Sequence, residues 1–371
     1  MKKDYFISHK EAIPVKGYTR SIIYDLPRRK VDFIPNDLYF LIIQNDGNSL
    51  AKITSKYKGA ENKKVIESYF DFLFEKEYAF LADKTFAKNF PNINLEWDYP
   101  AQITNAIVDF SKSKNNAIKK MLQVIENFGC RHVVLYLKES KQLEWVYLCA
   151  TQSLFQSIEI WLDEKDGNTI NFVINFLQDK QHRFVRINIV SSVLKTIKCS
   201  TSTIVTVNKN PFKEQLIFEA KTKNFIVNID FFTEAQKHNP FFNRKLYIDK
   251  GGFVKNALEH QSSFGHVLYD DIDKIIKSKK FQKYWTVSKD KIQVCKDCEF
   301  RYMCMDSRIP QKVANNQWLV LGECTYNPYI AKWKDEDGYV PVEACGTYTK
   351  ASGFVPDAEK IAKLNQELWS D

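Results

Sequence analysis

Residues 294–304 read VCKDCEFRYMC and set three cysteines, Cys295, Cys298 and Cys304, within ten residues. The two-residue spacer between Cys295 and Cys298 is that of a metal knuckle, which turns two sulfurs toward one centre. Cys304 follows after five residues, Cys324 after 19 more in ECTYNPY, and Cys345 after a further 20 in EACGTY. Four thiolates close a site, so this part of the chain offers five sulfurs for four places. A closed structural zinc site satisfies that count. So does an iron–sulfur cluster held by four cysteines. Spacing alone does not choose between them. Cys130, Cys149 and Cys199 stand singly in apolar runs and read as buried thiols.

The cysteines are expected to be reduced. The first residues, MKKDYFISHKEAIPV, hold no apolar core of the kind a secretory signal needs. No run approaches 18 uncharged apolar residues, so no membrane span is expected. Both readings point to the cytoplasm, where cysteines serve as thiols, ligands or catalysts instead of disulfides. At 371 residues the chain is long enough for two or three domains. Its net charge of +9 favours acidic partners. The lysines are scattered, however, and no basic arm or known binding motif appears, which disfavours nucleic acid.

Upstream of the cysteines the texture changes twice. Up to about residue 85 the order is strand, strand, helix, helix, helix. GYTRSIIYDL and KVDFI are the strands and PRR the turn between them. PNDLYFLIIQN offers Asn36 or Asp37 as a helix cap. NSLAKITSKYKG offers Asn48 or Ser49 as a cap and Gly59 as a stop. NKKVIESYFDFLFEKEYAFL places Ile66, Tyr69, Phe70, Leu73 and Phe74 on one helical face. This is the pattern of a winged helix. Residues 100–240 alternate strands (TNAIVDF, HVVLYL, SIEIWL, FVRINIV, TIVTV, FIVNIDFF) with helices, the latter including KNNAIKKMLQVIENFG, EWVYLCATQSLF and NTINFVINFLQ capped by Asn168 or Thr169. Alternation of that kind reads as βα units around a parallel sheet or partial barrel. From about residue 243, RKLYIDKGGFVKNAL reads as a hairpin turning at Gly251 and Gly252. DIDKIIKSKKFQKYW is helical, and the chain closes in a short helix starting at Pro356 and Asp357.

CKDCEFRYMC, together with NRKLYIDKGGFVKN, FGHVLYDDIDKII, FQKYW and CTYNPY, resembles the SPASM domain, the cluster-binding extension of radical-SAM peptide maturases. The first segment resembles the RiPP recognition element, the leader-binding unit of ribosomal-peptide maturation enzymes. Taken together, the chain is most similar to the SPASM-domain maturases of grasp-with-spasm systems, in which a precursor peptide, a maturase and an ATP-grasp ligase act together. The resemblance implies a winged-helix leader-binding domain over 1–85, a degenerate radical-SAM-like α/β barrel over 86–242, and a SPASM-like iron–sulfur domain over 243–371. It implies one auxiliary [4Fe–4S] cluster on Cys295, Cys298, Cys304 and Cys324, with Cys345 competing for the fourth place. Zinc is the alternative. It also implies that a leader peptide adds a strand beside Val31 and Phe33, with Arg28, Arg29 and Lys30 attracting its acidic residues.

The chain departs from that family in its chemistry. The family's next cysteine, four residues past the third, is Arg308 here. The early cysteine after the hairpin glycine is also missing, and the nearby His260 reads as a plain surface residue. No CxxxCxxC occurs, and the loop after TNAIVDF reads SKSKNN, without a thiol. S-adenosylmethionine is therefore not expected as a cofactor. The expected role is a maturation component that binds the precursor's leader and presents its core to an ATP-grasp ligase. Two other classes stand beside it: a redox enzyme acting on the peptide through its cluster, and a zinc-stapled winged-helix DNA-binding protein.

Overall fold

The computed structural model describes residues 4–163, 169–178, 183–191, 195–198, 203–209, 211–212, 224–257, 260–313, 317–320, 322, 324–349 and 351–369. Cys199 and Asn168 lie outside them. Two compact units form, one from residues 1–97, 219–240 and 287–371, the other from 98–218 and 241–286.

The first unit begins with β1 (Tyr5–Ser8), β2 (Ala12–Lys16), β3 (Ser21–Asp25) and β4 (Lys30–Ile34). Helices α1 (Asn36–Asn45), α2 (Leu50–Thr54) and α3 (Ala60–Glu75) follow, then β5 (Ala79–Ala82) and α4 (Lys84–Ala87). β2, β3 and β4 form an antiparallel sheet with β3 in the middle. The run SIIYD of β3 is buried throughout, as a central strand covered on both faces requires. Ile23 packs with the helices, among Leu38, Leu41, Ile66, Phe70 and Leu73. Ile22 and Tyr24 point the other way, against Phe232, Phe300, Met303 and Tyr326.

Several expectations shift here. Pro35, ahead of Asn36 and Asp37, takes the cap position of α1, without a side-chain bond. Ser49 does cap α2, its hydroxyl accepting from the Lys52 amide. Gly59 does not stop α2, which ends at Thr54; it leads into α3 with φ +91°. The helical run also ends at Glu75, because AFLA pairs with β1 as an antiparallel strand.

The second unit carries β6 (Asn105–Asp109), α5 (Asn115–Asn127), β7 (His132–Leu137), α6 (Gln142–Thr151), β8 (Ser157–Asp163), α7 (Thr169–Gln178), β9 (Phe184–Val190), β10 (Lys195–Lys198) and β11 (Ile204–Asn208). The chain returns to the first unit as α8 (Ile229–Lys237). It re-enters the second as β12 (Lys245–Ile248), β13 (Val254–Lys255) and α9 (Ile272–Lys277). The result is an eight-stranded sheet in the order β10-β11-β9-β8-β7-β6-β12-β13. Pairings from β11 to β12 are parallel and the two edge pairings antiparallel. This is the sheet that strand–helix alternation predicts.

Alternate residues face opposite sides of a strand. Val133, Leu135 and Leu137, with Ile158, Ile160 and Leu162, pack against Ile118, Leu122 and Ile125 of α5 and Leu143 and Val146 of α6. On the other face Trp161 and Phe212 cluster with Ile107, Val134, Tyr136 and Val190. α5 closes at Gly129, whose φ is +80° and where a Cβ would come within 2.9 Å of Ala101 Cβ. FIVNIDFF, like AFLA, is a run read with the wrong period. The Asn228 side chain accepts from the Phe231 amide and starts a helix there, not a strand.

The rest of the first unit includes three hairpins around the cysteines, β14 (Pro310–Lys312) with β15 (Trp318–Val320), β16 (Tyr326–Asn327) with β17 (Lys332–Trp333) and β18 (Gly346–Thr349) with β19 (Gly353–Pro356), and the 3₁₀ turns Lys289–Lys291, Cys295–Asp297 and Val342–Cys345. It ends in α10 (Ala358–Trp369), where Asp357 accepts from the amides of Glu359 and Lys360 as the cap.

The turn between β2 and β3 docks on the cysteine loop. Gly17 permits this approach, since a Cβ there would lie 3.0 Å from Glu299 Cβ and 2.5 Å from the Arg20 carbonyl oxygen. Arg20 Nε donates to Glu299 Oε1 at 2.8 Å, and the Glu299 side chain is 0% exposed. The Tyr326 hydroxyl donates to the same oxygen at 2.5 Å, and the Tyr24 hydroxyl donates to the Glu299 carbonyl at 2.8 Å. Removing one partner of a buried ion pair costs about 3–5 kcal/mol, because the other charge is left unbalanced. Arg20→Ala is thus expected to destabilise the chain by about that amount in urea denaturation. Combined with Glu299→Gln it should cost less than the sum of the two single changes; additive costs would show that the pair is not an energetic unit.

Candidate metal centre and peptide edge

The cysteine loop is wound tightly. The Cys298 amide donates to the Cys295 carbonyl at 3.1 Å, and the Asp297 amide to Val294 at 3.1 Å. Val294, immediately before the first cysteine, has φ +67°. A β-branched residue in that region is a backbone outlier, of the kind that surrounding structure must hold in place. Cys304 bridges to Phe225, and the Ile226 amide donates to the Met303 carbonyl at 2.9 Å. The chain then returns through Cys324 into the short β16–β17 hairpin.

These turns bring Cys295, Cys298, Cys304 and Cys324 to the wall of one cavity of about 40 Å³. Aromatic rings close it: Phe225, Phe300, Tyr326 and Trp333. Phe300 lies 4.8 Å from Tyr326 and 5.6 Å from Trp333, ring centre to ring centre. Cys345, the competitor, is placed elsewhere. It is buried among Tyr329, Ile330, Phe354 and Ile361, and its sulfur accepts from Asn327 Nδ2 at 3.3 Å. Among the described residues, no three His, Cys, Asp or Glu side chains stand as a group that could hold a metal ion. All described cysteines are free thiols.

By type the sulfurs lining this cavity are soft donors, although they do not stand as a metal-holding group. Four sulfurs share the wall with one carboxylate, Asp306, whose oxygens are taken by Lys289 and Arg308. Burial pushes the thiols of Cys295, Cys298 and Cys304 up, that of Cys304 to about 12, with Lys289 pulling against it at Cys295 and Cys304. Burial also works against the charge on Asp306, yet Lys289 and Arg308 outweigh it and hold the carboxyl well below its usual range.

The other thiols play no part in this cavity. Cys130 is fully buried, its thiol directed at the His132 carbonyl at 3.3 Å. Cys149 is half-buried on α6. His260 is not the plain surface residue expected from its sequence. It packs among Phe242, Phe264 and Tyr284, and burial, with Lys283 and Lys255, lowers its pKa.

The candidate peptide edge is β4, the outer strand of its sheet, with no strand on its far side among the described residues. An unpaired edge is a template for an added strand. Val31 is half-buried against the Tyr24 and Phe300 cluster, while Phe33 is 48% exposed. The Arg20 guanidinium lies 3.7 Å from the Phe33 ring centre. Of the three basic residues, Arg28 pairs with Asp25 and Glu77, and Lys30 lies 3.8 Å from Asp25. Only Arg29, exposed and with φ 55°, forms no ion pair among the described residues. Charges read from sequence as available to a peptide are thus largely spent on neighbours. β4 is tied to the end of α3 through Asp32, which accepts from Lys76 Nζ at 3.1 Å and from the Tyr78 hydroxyl.

No family model matches the chain, and no curated protein matches it. Among solved structures it is similar to Streptococcus suis SuiB at 8% identity, with a TM-score of 0.25 over 80% of this chain and 94% of that one. SuiB bound to precursor peptide SuiA gives the same identity and score over 81% and 94%, and SuiB bound to S-adenosylmethionine over 75% and 89%. This likeness is too slight to carry an argument about fold or function. No helix among the described residues is long and apolar enough to cross a membrane.

Asp32 provides a pH test of the edge. Burial opposes its ionisation, but the Tyr78 hydroxyl and Lys76 outweigh that and hold its carboxyl below the ordinary value of 3.8. A depressed carboxyl contributes stability above its unfolded value and loses it as pH falls. The stability gap between the wild type and Asp32→Asn should therefore be widest above 3.8 and shrink below it. Guanidinium denaturation at several pH values measures the gap, and a gap that grows on acidification contradicts the assignment.

Proposed function

We propose that this protein is a component of ribosomal-peptide maturation that binds a precursor's leader along β4 and carries one four-thiolate cluster beneath the same sheet. The observation that carries the reading is the convergence of the Cys295, Cys298 and Cys304 loop with Cys324, from the next stretch of chain, on one aromatic-walled cavity. Thiolates alone are soft donors, suited to an iron–sulfur cluster or zinc. A bound [4Fe–4S] cluster would brace the loop and supply one-electron chemistry. Cys324 is the fourth ligand in this reading, because Cys345 lies outside the cavity. The partner that acts on the presented core is an ATP-grasp ligase, and S-adenosylmethionine is not cleaved. Both of these follow from the family resemblance and the missing CxxxCxxC.

The protein's own residues account for peptide presentation. β4 offers main-chain donors and acceptors to an added strand, which gives affinity without demanding one sequence. Phe33 offers an apolar contact and Arg29 a charge for an acidic leader. Because β2–β3 rests on the cysteine loop through Arg20 and Glu299, the peptide edge and the cavity belong to one packed unit.

Chain purified without oxygen should carry about four irons, the content of one four-iron cluster. Cys298→Ala and Cys324→Ala should lose them, and Cys345→Ala should keep them. Zinc in place of iron under the same conditions overturns the cluster. Peptide binding is checked with the full chain, titrated with a candidate precursor leader peptide and with a scrambled copy. Phe33→Ala should weaken binding of the first at least tenfold, and equal affinity for both peptides refutes a leader site.

A further inference from the structure

A groove of about 770 Å³ opens beside β5, with no residue of β4 in its wall. Ligand clefts have volumes of about 300–1,000 Å³. Ala79, Phe80 and Leu81 line the groove, and no strand lies on the far side of β5 among the described residues. In an antiparallel pair, a residue turns both main-chain groups the same way, and its neighbours turn theirs the other way. The His9 amide donates to the Tyr78 carbonyl at 2.9 Å, so Tyr78, and with it Phe80, turns toward β1. The Phe6 amide donates to Asn48 at 2.9 Å, and the Ser8 amide to Asp46 Oδ1 at 2.8 Å. Phe6 and Ser8 therefore turn away from β5, and their register partners, Leu81 and Ala79, turn away from β1. Both turn a main-chain donor and acceptor to the open edge. A four-residue strand is in itself a common way to blunt an edge. The groove beside it is what sets this edge apart.

The wall is acidic. Glu11, Asp25 and Glu77 line it, against Arg28 and His9. Arg28 is shared between Asp25 and Glu77, and Lys30, outside the wall, lies 3.8 Å from Asp25. Glu11 is exposed and forms no ion pair among the described residues. Pro27, Phe74, Phe80 and Leu81 supply apolar surface. Such a wall repels nucleic acid and complements a strand that carries both cations and apolar side chains.

We propose that β5 is a docking edge for an extended, basic segment of a partner protein, separate from the peptide edge at β4. The segment exchanges main-chain hydrogen bonds with Ala79 and Leu81, and its lysines or arginines meet Glu11 and Glu77.

The test uses the full chain and a fluorescent peptide of alternating lysine and valine, followed by anisotropy, with amide exchange read by nuclear magnetic resonance. Binding should slow exchange at the Ala79 and Leu81 amides and leave that of Phe80, already turned to β1, unchanged. A copy with glutamate for lysine should bind at least tenfold more weakly, and so should a copy N-methylated at every residue, which has no donors for the edge. Glu11→Lys should weaken the lysine peptide about tenfold by reversing a wall charge. Leu81→Pro removes a donor that β1 does not use, and edge strands tolerate proline at such places. It should weaken binding about five- to tenfold, the worth of one hydrogen bond, at an unchanged melting temperature. If Leu81→Pro does not fold, the N-methylated copy and Glu11→Lys decide: weaker binding in both supports the proposal, and wild-type binding in either overturns it. No saturable binding, equal binding of all three peptides, or protection of β4 in place of β5 also overturns it.

Discussion

A carboxylate buried in the cysteine loop governs how the first unit holds together. Glu299 is enclosed, and one oxygen receives both Arg20 and the Tyr326 hydroxyl. Its other oxygen, Oε2, is buried without a hydrogen-bond partner. A charge in that position is tolerated only while its partners stay in place. The β2–β3 turn, the β16 strand and the loop bearing Cys298 are therefore fixed relative to one another by one side chain. Phe300, next in sequence, packs on Tyr326 and lies 5.8 Å from Phe33, so the apolar contacts follow the polar ones.

The features legible in the sequence were those whose signals are local. Hairpins announced themselves by turns such as PRR and the Gly251–Gly252 pair, and the parallel sheet by strands alternating with helices. The cysteine spacing singled out the trio Cys295, Cys298 and Cys304 and offered Cys324 and Cys345 for a fourth place; Cys324 lines the cavity with the trio. It left the fourth open, because distance along the chain does not show that Cys345 folds into the Tyr329 and Phe354 core. Long-range pairing left no such trace. β1 and β5 are four-residue strands about 70 residues apart, and AFLA reads equally well as the end of α3. In FIVNIDFF the apolar alternation suited a strand, and one asparagine hydrogen bond overruled it. Nothing local in KDKI or MDSR marks Lys289 and Asp306 as a buried ion pair. Arg308 in a place where the family resemblance put a cysteine was the available hint.

The same logic separates the two faces of β3. Its strand reads SIIYD with no charged residue between its ends, and the structure uses both sides. Ile23 serves the helical layer and Ile22 with Tyr24 the cysteine side. A change at this strand acts on both cores at once, whereas β4 retains one side exposed at Phe33.

The order of segments in the first unit also has a consequence in time. Its pieces are residues 1–97, 219–240 and 287–371, so the second unit is threaded through its middle. Arg20 and Glu299 are 279 residues apart. At a synthesis rate of 5–20 residues per second, roughly 14–56 s separate the emergence of the hairpin from that of its buried partner. Throughout that interval Ile22 and Tyr24 lack Phe300, Met303 and Tyr326 to pack against. The parallel sheet from β6 to β11 can meanwhile form its pairings. The newborn chain thus carries an open, strand-edged hairpin at its start while its middle folds, and its last hundred residues complete what its first forty began.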